Sequence, residues 1–410
     1  MDMMFEAYLT HEANSKSEDI PATTEPVWVL GKKYSAMHNL EEIRKDITSR
    51  LWFTYRKGFI PIGDTGLTSD KGWGCMLRCG QMVLAQALIH LHLGREWRWT
   101  AERSCRDMSY RTYLRILRMF EDRRAAPFSI HQIALMGASS EGKAVGEWFG
   151  PNTVAQVIRK LAVSDEWSSL VVHVAMDNTV AIGNIKRQCF TPPRHIEGPS
   201  GIMDSKSPSW RPLLLIVPLR LGLSEINPLY IKGLKVCFTF KQSLGVIGGK
   251  PNHALYFIGC VGDEVIFLDP HTTQPTASLP EEKSYIKLDQ VEATDNSYHC
   301  SFASRCHILG MDPSVAVCFF CPTEKDFDSL CSQIQQQIVL PERQPLFELC
   351  SDRSCHWSPS DESCSSTASL LDDSVKFSTK ATMAEEAACI ALEDFDRQFD
   401  DSDEDFELLG

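Results

Sequence analysis

Gly72-Trp73-Gly74-Cys75-Met76-Leu77-Arg78-Cys79-Gly80 sets a cysteine where a glycine-broken loop gives way to a helical pattern. Met76, Leu77, Val83, Leu84, Ala87, Leu88 and Leu91 recur at three- and four-residue steps, which predicts an amphipathic helix starting at or beside Cys75. The first turn of a helix has unsatisfied N–H groups and carries the positive end of the macrodipole, and both favour a thiolate over a thiol. The thiolate is the attacking species in cysteine-dependent acyl transfer, so Cys75 is a candidate nucleophile. The competing reading is a buried structural cysteine, because free cysteine is among the most buried residue types. Cys79, one turn further on, suits that second reading better.

A nucleophilic thiol needs an imidazole to take and return protons, and two histidines compete for the role. His253 stands in Pro251-Asn252-His253-Ala254-Leu255, just ahead of an apolar strand, a setting similar to that of the catalytic histidine of papain-like enzymes. His271 stands in Leu268-Asp269-Pro270-His271-Thr272-Thr273, at a strand's end. In extended chain, residues two apart face the same side, so the Asp269 carboxylate can lie beside the His271 ring. A carboxylate there fixes the tautomer and stabilises the imidazolium. Asp269-Pro270 can also be read as a mere turn with a solvated histidine after it. The residues favour His271, which brings its own acid, and leave His253 open.

The surrounding pattern is mixed. Leu40, Ile43, Ile47 and Leu51 predict one helix, Tyr110, Tyr113, Leu114, Leu117 and Phe120 another, and Val154, Val157, Ile158 and Leu161, after Asn152, a third. Leu170 to Val174 and Leu213 to Leu219 read as buried strands. Leu255 to Val261 and Val265 to Leu268 read as a hairpin closed by Gly262-Asp263. Thr323 is placed to cap a helix with Phe327, Leu330, Cys331, Ile334 and Ile338 on one face. Helices first and an antiparallel sheet later make α+β the expected class.

With 410 residues, 43% of them hydrophobic, the chain can bury one large core or two modest ones. Its fifteen cysteines are scattered and odd in number, unlike a disulfide scaffold. Cys318 and Cys321 form one C-x-x-C, but they fall in an apolar run that reads as a strand, and no second pair stands at zinc-ligand spacing, so neither metal nor cofactor is expected. The start, Met1-Asp2-Met3-Met4-Phe5-Glu6, has no signal-peptide pattern, and no apolar run is long enough to span a bilayer, so a reduced, cytoplasmic protein is expected. Charge is uneven: from Ser351 to Gly410 it sums to −12, leaving −1 of the total −13 for everything before. Residues 346–410 are therefore expected to form an acidic, disordered tail, and residues 1–25 a flexible N-terminal tail. Between them, 26–345 reads as one folded domain with a proline-rich surface loop at about 191–212. No nucleic-acid partner is expected.

At this point the chain resembles a known family, the autophagins, or autophagy-related-4 cysteine proteases, and within it the shorter vertebrate forms. The resemblance covers about residues 26 to 345. It is carried by Leu51-Trp52-Phe53-Thr54-Tyr55-Arg56, by Ser69-Asp70 through Gln81, and by Gly146-Glu147-Trp148-Phe149-Gly150-Pro151-Asn152-Thr153. Pro212-Leu213-Leu214-Leu215, Gly248-Gly249-Lys250-Pro251-Asn252 and Leu268-Asp269-Pro270-His271-Thr272-Thr273-Gln274 continue it in order. The resemblance implies a papain-like fold with a small added subdomain. It also implies Cys75 as nucleophile, His271 as base, Asp269 as the residue that orients it, and Tyr55 beside the developing oxyanion. By the same resemblance, Trp148 and the loop of Gly249, Lys250, Pro251 and Asn252 cover the substrate groove.

The implied substrate is an autophagy-8 ubiquitin-like protein, either free or conjugated to lipid. The enzyme would cut after a glycine near its C-terminus and later release that glycine from phosphatidylethanolamine. A monomer is expected, touching membranes only through the lipidated substrate. Phe406-Glu407-Leu408-Leu409, behind Asp400-Asp401-Ser402-Asp403-Glu404-Asp405, resembles the short motif by which partners dock on autophagy-8 proteins, with Phe406 and Leu409 as anchors. Phe327-Asp328-Ser329-Leu330 has the same spacing but reads as a buried helix face, and Tyr8-Leu9-Thr10-His11 lacks the last apolar anchor. Two other classes stay open on sequence alone: a non-catalytic autophagy-8-binding scaffold, and a papain-like deubiquitinase or transglutaminase acting on another carrier.

Overall fold

The hairpin read at Leu255–Val261 lies in the middle of a large sheet. The computed structural model describes residues 19–101, 107–191, 209–279, 288–301 and 303–352. Among these, nine strands form the main sheet: β1 (Pro26–Val29), β2 (Lys32–Ser35), β3 (Val171–Val174), β4 (Leu213–Arg220), β5 (Ser243–Gly248), β6 (Leu255–Val261), β7 (Glu264–Leu268), β8 (Ser304–His307) and β9 (Ser314–Cys321). Their order is β8-β7-β6-β5-β9-β4-β3, with β1 on the far part of β6 and β2 on β1. Every pairing is antiparallel except β3 with β4. Gly262 and Asp263 close the β6–β7 hairpin, and Gly262 has the positive φ, +55°, that this tight link needs.

β6 serves two neighbours on one side. Leu255 to Phe257 pair with β5, and Gly259 to Val261 pair with β1, with a register shift between the two stretches where β6 meets β7. A Cβ on Gly259 would fall 2.0 Å from the Trp28 carbonyl oxygen, so only glycine allows β1 to approach.

Central strands are buried on both faces, and for that reason they read as unbroken apolar runs. In β4, Leu214 and Ile216 join the core on the helical side while Leu213, Leu215 and Val217 join the core on the other. The helical side carries α1 (Leu40–Thr48), α2 (Cys75–His92), α3 (Met108–Arg118), α4 (Ile130–Ser140) and α5 (Pro151–Ala162). α2 is buried without a break from Cys75 to Ile89 and lies against β5 and β6, which makes it the central helix. On the other side lie short helices at Ile182–Cys189 and Ile231–Cys237, and the helix Glu324–Ile334. Thr323 caps that last helix by accepting the Asp326 N–H, and Phe327 and Leu330 are buried in it. The architecture is α+β.

Several boundaries move. Glu348–Cys350 pairs in parallel with Thr179–Ala181, and Leu346 and Phe347 are buried, so the folded body runs past the expected end at 345. A partner some 170 residues away in sequence leaves no local signal. Ahead of residue 26, Ile20 is already buried and Asp19 pairs with Arg44. Phe190–Thr191 pairs with Ser209–Trp210 at the base of the expected loop, whose residues 192–208 lie outside the described residues. The acidic stretch from 353 on, with Phe406 and Leu409, and Tyr8 to His11 also lie outside them. Cys318 and Cys321 are buried in β9, and the described cysteines are all free thiols. Among the described residues no group of side chains could hold a metal ion, and no helix is long and apolar enough to cross a membrane.

Candidate active site

Cys75 is the first residue of α2, and the turn that presents it is built on Asp70. The Asp70 carbonyl accepts the N–H of Gly74 at 2.8 Å and that of Trp73 at 3.3 Å. Its carboxylate lies against Gly74, where a Cβ would come within 2.2 Å of Oδ2, so a side chain there would push the turn apart. The same carboxylate accepts the Arg56 N–H at 2.7 Å and two N–H groups of Arg78, at 2.8 and 3.0 Å. Arg78 reaches on to Asp122 at 2.8 Å. Arg78, Asp70 and Asp122 are all buried.

A second strap joins the segment before the turn to the residues around His271. Tyr55–Lys57 pairs in parallel with Thr273–Pro275, Tyr55 opposite Thr273. The Tyr55 N–H donates to the Pro270 carbonyl at 2.9 Å, and the Trp52 indole N–H donates to the Asp269 carbonyl at 2.7 Å. The Tyr55 and His271 rings then meet edge to face, 5.5 Å between centroids.

Nδ1 of His271 lies 2.5 Å from Oδ1 of Asp269, and the same oxygen accepts the His271 backbone N–H at 2.9 Å. The juxtaposition differs in kind from the expected one. β7 ends at Leu268, and the aspartate meets the imidazole across a turn that its own carboxylate closes, not along an extended strand.

Nε2 of His271 and the hydroxyl of Tyr55 are buried and have no partner at strict hydrogen-bond geometry, yet both lie near enough to the Cys75 sulfur to govern its ionisation. Burial pushes the Cys75 thiol up. His271, as donor and as charge, then the Ala254 N–H and the Tyr55 hydroxyl, outweigh burial and hold the thiol below its ordinary value. Burial would lower His271, but Asp269 and the Cys75 sulfur reverse that and carry it up to about 9. The two shifts together favour the thiolate–imidazolium form of the pair over the neutral one. Tyr55 is raised, by burial first and then by the charge on Cys75, so its phenol keeps the proton it could donate. Cys79 is pushed well above the ordinary thiol value, mainly by burial.

The structure thus brings Cys75, His271, Asp269 and Tyr55 together. His253 turns back into its own loop, its Nδ1 2.8 Å from the Pro251 carbonyl. That loop, Gly249, Lys250, Pro251 and Asn252, joins β5 to β6 and leads into Ala254, whose N–H serves Cys75. Gly249 has φ +147°, and a Cβ there would fall 2.4 Å from the Ala254 Cα. The Asn252 side-chain oxygen lies 4.0 Å from where a Cβ on Gly72 would sit, so this loop borders the turn that carries the cysteine. Trp148 is half-buried on the same core as α2, its ring close to Gly150 and its indole N–H buried without a partner. Sequence reasoning missed the roles of Asp70, Arg78 and Trp52, because each acts through a partner that no local spacing announces.

A family model for the peptidase C54 catalytic domain matches residues 40–333. The chain belongs to the peptidase C54, or autophagin, family. It is similar to cysteine protease ATG4B of Xenopus laevis, at 48% identity over 96% of this chain and 95% of that protein. It is similar also to cysteine protease ATG4A of Bos taurus, at 51% identity over 83% of this chain and 86% of that one, and to ATG4A of Homo sapiens, at 50% over the same shares. As an autophagin the chain is a thiol protease, a hydrolase, with a papain-like α+β fold.

Proposed function

We propose that Cys75 is the nucleophile, His271 the general acid and base, Asp269 the residue that orients it, and Tyr55 an oxyanion donor. The observation that carries this reading is the buried thiol held below its ordinary value by an imidazole whose far nitrogen is bound, at 2.5 Å, to a carboxylate. The thiolate attacks the substrate carbonyl carbon. The oxyanion that forms takes hydrogen bonds from the Tyr55 hydroxyl and from the Cys75 N–H, one of the free donors of a helix's first turn. Imidazolium His271 gives its proton to the leaving amine, the amide C–N bond breaks, and a thioester to Cys75 remains. Neutral His271 then takes a proton from water, hydroxide attacks the thioester, and the thiolate leaves. No cofactor enters.

The substrate is an autophagy-8-type ubiquitin-like protein, cut after a glycine near its C-terminus. In the conjugated form the leaving amine is that of phosphatidylethanolamine. Cys75 is 0% exposed, so the chain cannot be entered as it stands, and the covering elements, Trp148 and the Gly249–Asn252 loop, part to admit the substrate tail. A slot that narrow favours glycine, which has no side chain to clash. The protein works as a monomer in the cytosol, reaches membranes through its lipidated substrate, and uses its Phe406 to Leu409 tail to dock.

The test incubates the full chain with an autophagy-8 precursor, with the lipid-conjugated form on vesicles and with a ubiquitin precursor, then repeats each with Cys75→Ala and His253→Ala. Cutting of the first two, lost only in Cys75→Ala, is the expected result. Equal loss in His253→Ala would reopen the choice of base. Cutting of the ubiquitin precursor alone would make the chain a deubiquitinase, and binding without cutting would make it a scaffold.

A further inference from the structure

We propose that Arg78 is a positioning residue for Cys75: it holds the Asp70 carboxylate beneath Gly74 and offsets its charge, which keeps the cysteine's turn closed and its thiolate unopposed. The proposal rests on the reading of Cys75 as nucleophile.

Asp70 is a fully buried carboxylate in the turn that leads into the cysteine, packed against the residue just before it. Its charge is felt at Tyr55, which adjoins the sulfur. An uncompensated anion there disfavours a second anion on Cys75. Arg78 meets both oxygens of Asp70, Nε to Oδ2 at 2.8 Å and Nη2 to Oδ1 at 3.0 Å. Its third nitrogen reaches Asp122 at 2.8 Å and Gln81 at 3.1 Å. Only a guanidinium can make that fork and still span to a second acid, whereas a lysine offers one nitrogen. Arg78 follows Cys75 by three residues, so the ion pair ties the helix's first turn back to the loop that precedes it.

Stability alone is a poor reason for such a group, since apolar replacements of buried ion pairs often pack as well. The titratable groups that act on the sulfur are His271 from the turn after β7 and Tyr55 from the short parallel strand; Asp269 binds His271, Asp70 from the loop is felt at Tyr55, and Cys79 on α2 feels the charge of Cys75. Arg78 itself faces Asp70, Asp122 and, beside it, Arg56, whose guanidinium lies over the Tyr298 ring at 4.4 Å. Of the two guanidiniums in that cluster, Arg78 is the one whose side chain grips Asp70.

The experiment measures alkylation of Cys75 by iodoacetamide against pH, read at that residue by mass spectrometry, on the full chain without substrate. Arg78→Gln is expected to raise the midpoint by about one pH unit or more. Asp70→Asn is expected to lower it, and the Asp70→Asn/Arg78→Gln pair to bring it back to within about 0.3 unit of the parent. Arg78→Lys, which keeps the charge and loses the fork, should hold the midpoint within about half a unit while kcat on a peptide-linked substrate falls about tenfold or more. If the midpoint stays put in Arg78→Gln while only the melting temperature drops, the residue is structural and the proposal is overturned. Should Arg78→Gln not fold, Asp70→Asn decides: an unmoved or raised midpoint also overturns it. A parent midpoint at or above that of an ordinary thiol would instead sink the nucleophile reading itself.

Discussion

Cys75 and Cys79 share one helix, one turn apart, and both are fully buried, yet their thiols move in opposite directions. Burial acts on the two alike, pushing each up. What separates them is a ring of donors on one side only: the His271 imidazolium, the Ala254 N–H and the Tyr55 hydroxyl reach the first sulfur, while burial and the charge on Cys75 itself govern the second. Reactivity at this helix depends on what the sheet and the strand at Tyr55–Lys57 bring to its first turn. The helix dipole adds to this at Cys75 alone, because its effect falls off within the first turn and Cys79 lies beyond it.

The contrast can be broken first at the acid. Asp269→Asn leaves the imidazole without its anion, and kcat/KM on a peptide-linked substrate is expected to fall by about 10³ to 10⁴. On the proposed role of the phenol, as donor to the oxyanion and not to the ground state, Tyr55→Phe is expected to cost about 10² in kcat with KM little changed. The pH profile sharpens the comparison further. With His271 carried up to about 9 and acting as the proposed general acid, kcat/KM should hold through neutral pH and fall above about pH 9, where the imidazolium is lost. Asp269→Asn removes a raising influence, so the alkaline limb should move down toward the ordinary histidine value of 6.5. The smallest effect is expected at the other cysteine. Cys79→Ala should cost about 1 kcal/mol in a denaturant titration and leave kcat/KM within about twofold. A larger loss of activity there would mean that the two sulfurs act together.

The parts of this arrangement that a reader of the sequence can find are local. The α2 start at Cys75 follows from apolar spacing against a run of glycines, and the β6–β7 hairpin from two apolar runs around Gly262-Asp263. Asp269 and His271 are two residues apart, so their meeting could be expected even though a turn and not a strand achieves it. The rest depends on partners far along the chain. β2, Lys32–Ser35, has two lysines in four residues and is held by pairing with β1. The strand at Glu348–Cys350 borders an acidic stretch and owes its shape to Thr179–Ala181. Asp70 and Arg78 carry no local signal of burial. Their burial depends on Asp122 and on the glycine at 74, which no periodicity links to them.

The hydrogen bonds from Trp52 to Asp269 and from Tyr55 to Pro270 span more than two hundred positions. A chain still being synthesised can thus complete the helix and its sulfur long before the imidazole exists to ionise it. Until those two clasps close, the newborn chain carries a sulfur that still lacks the imidazole which lowers its thiol.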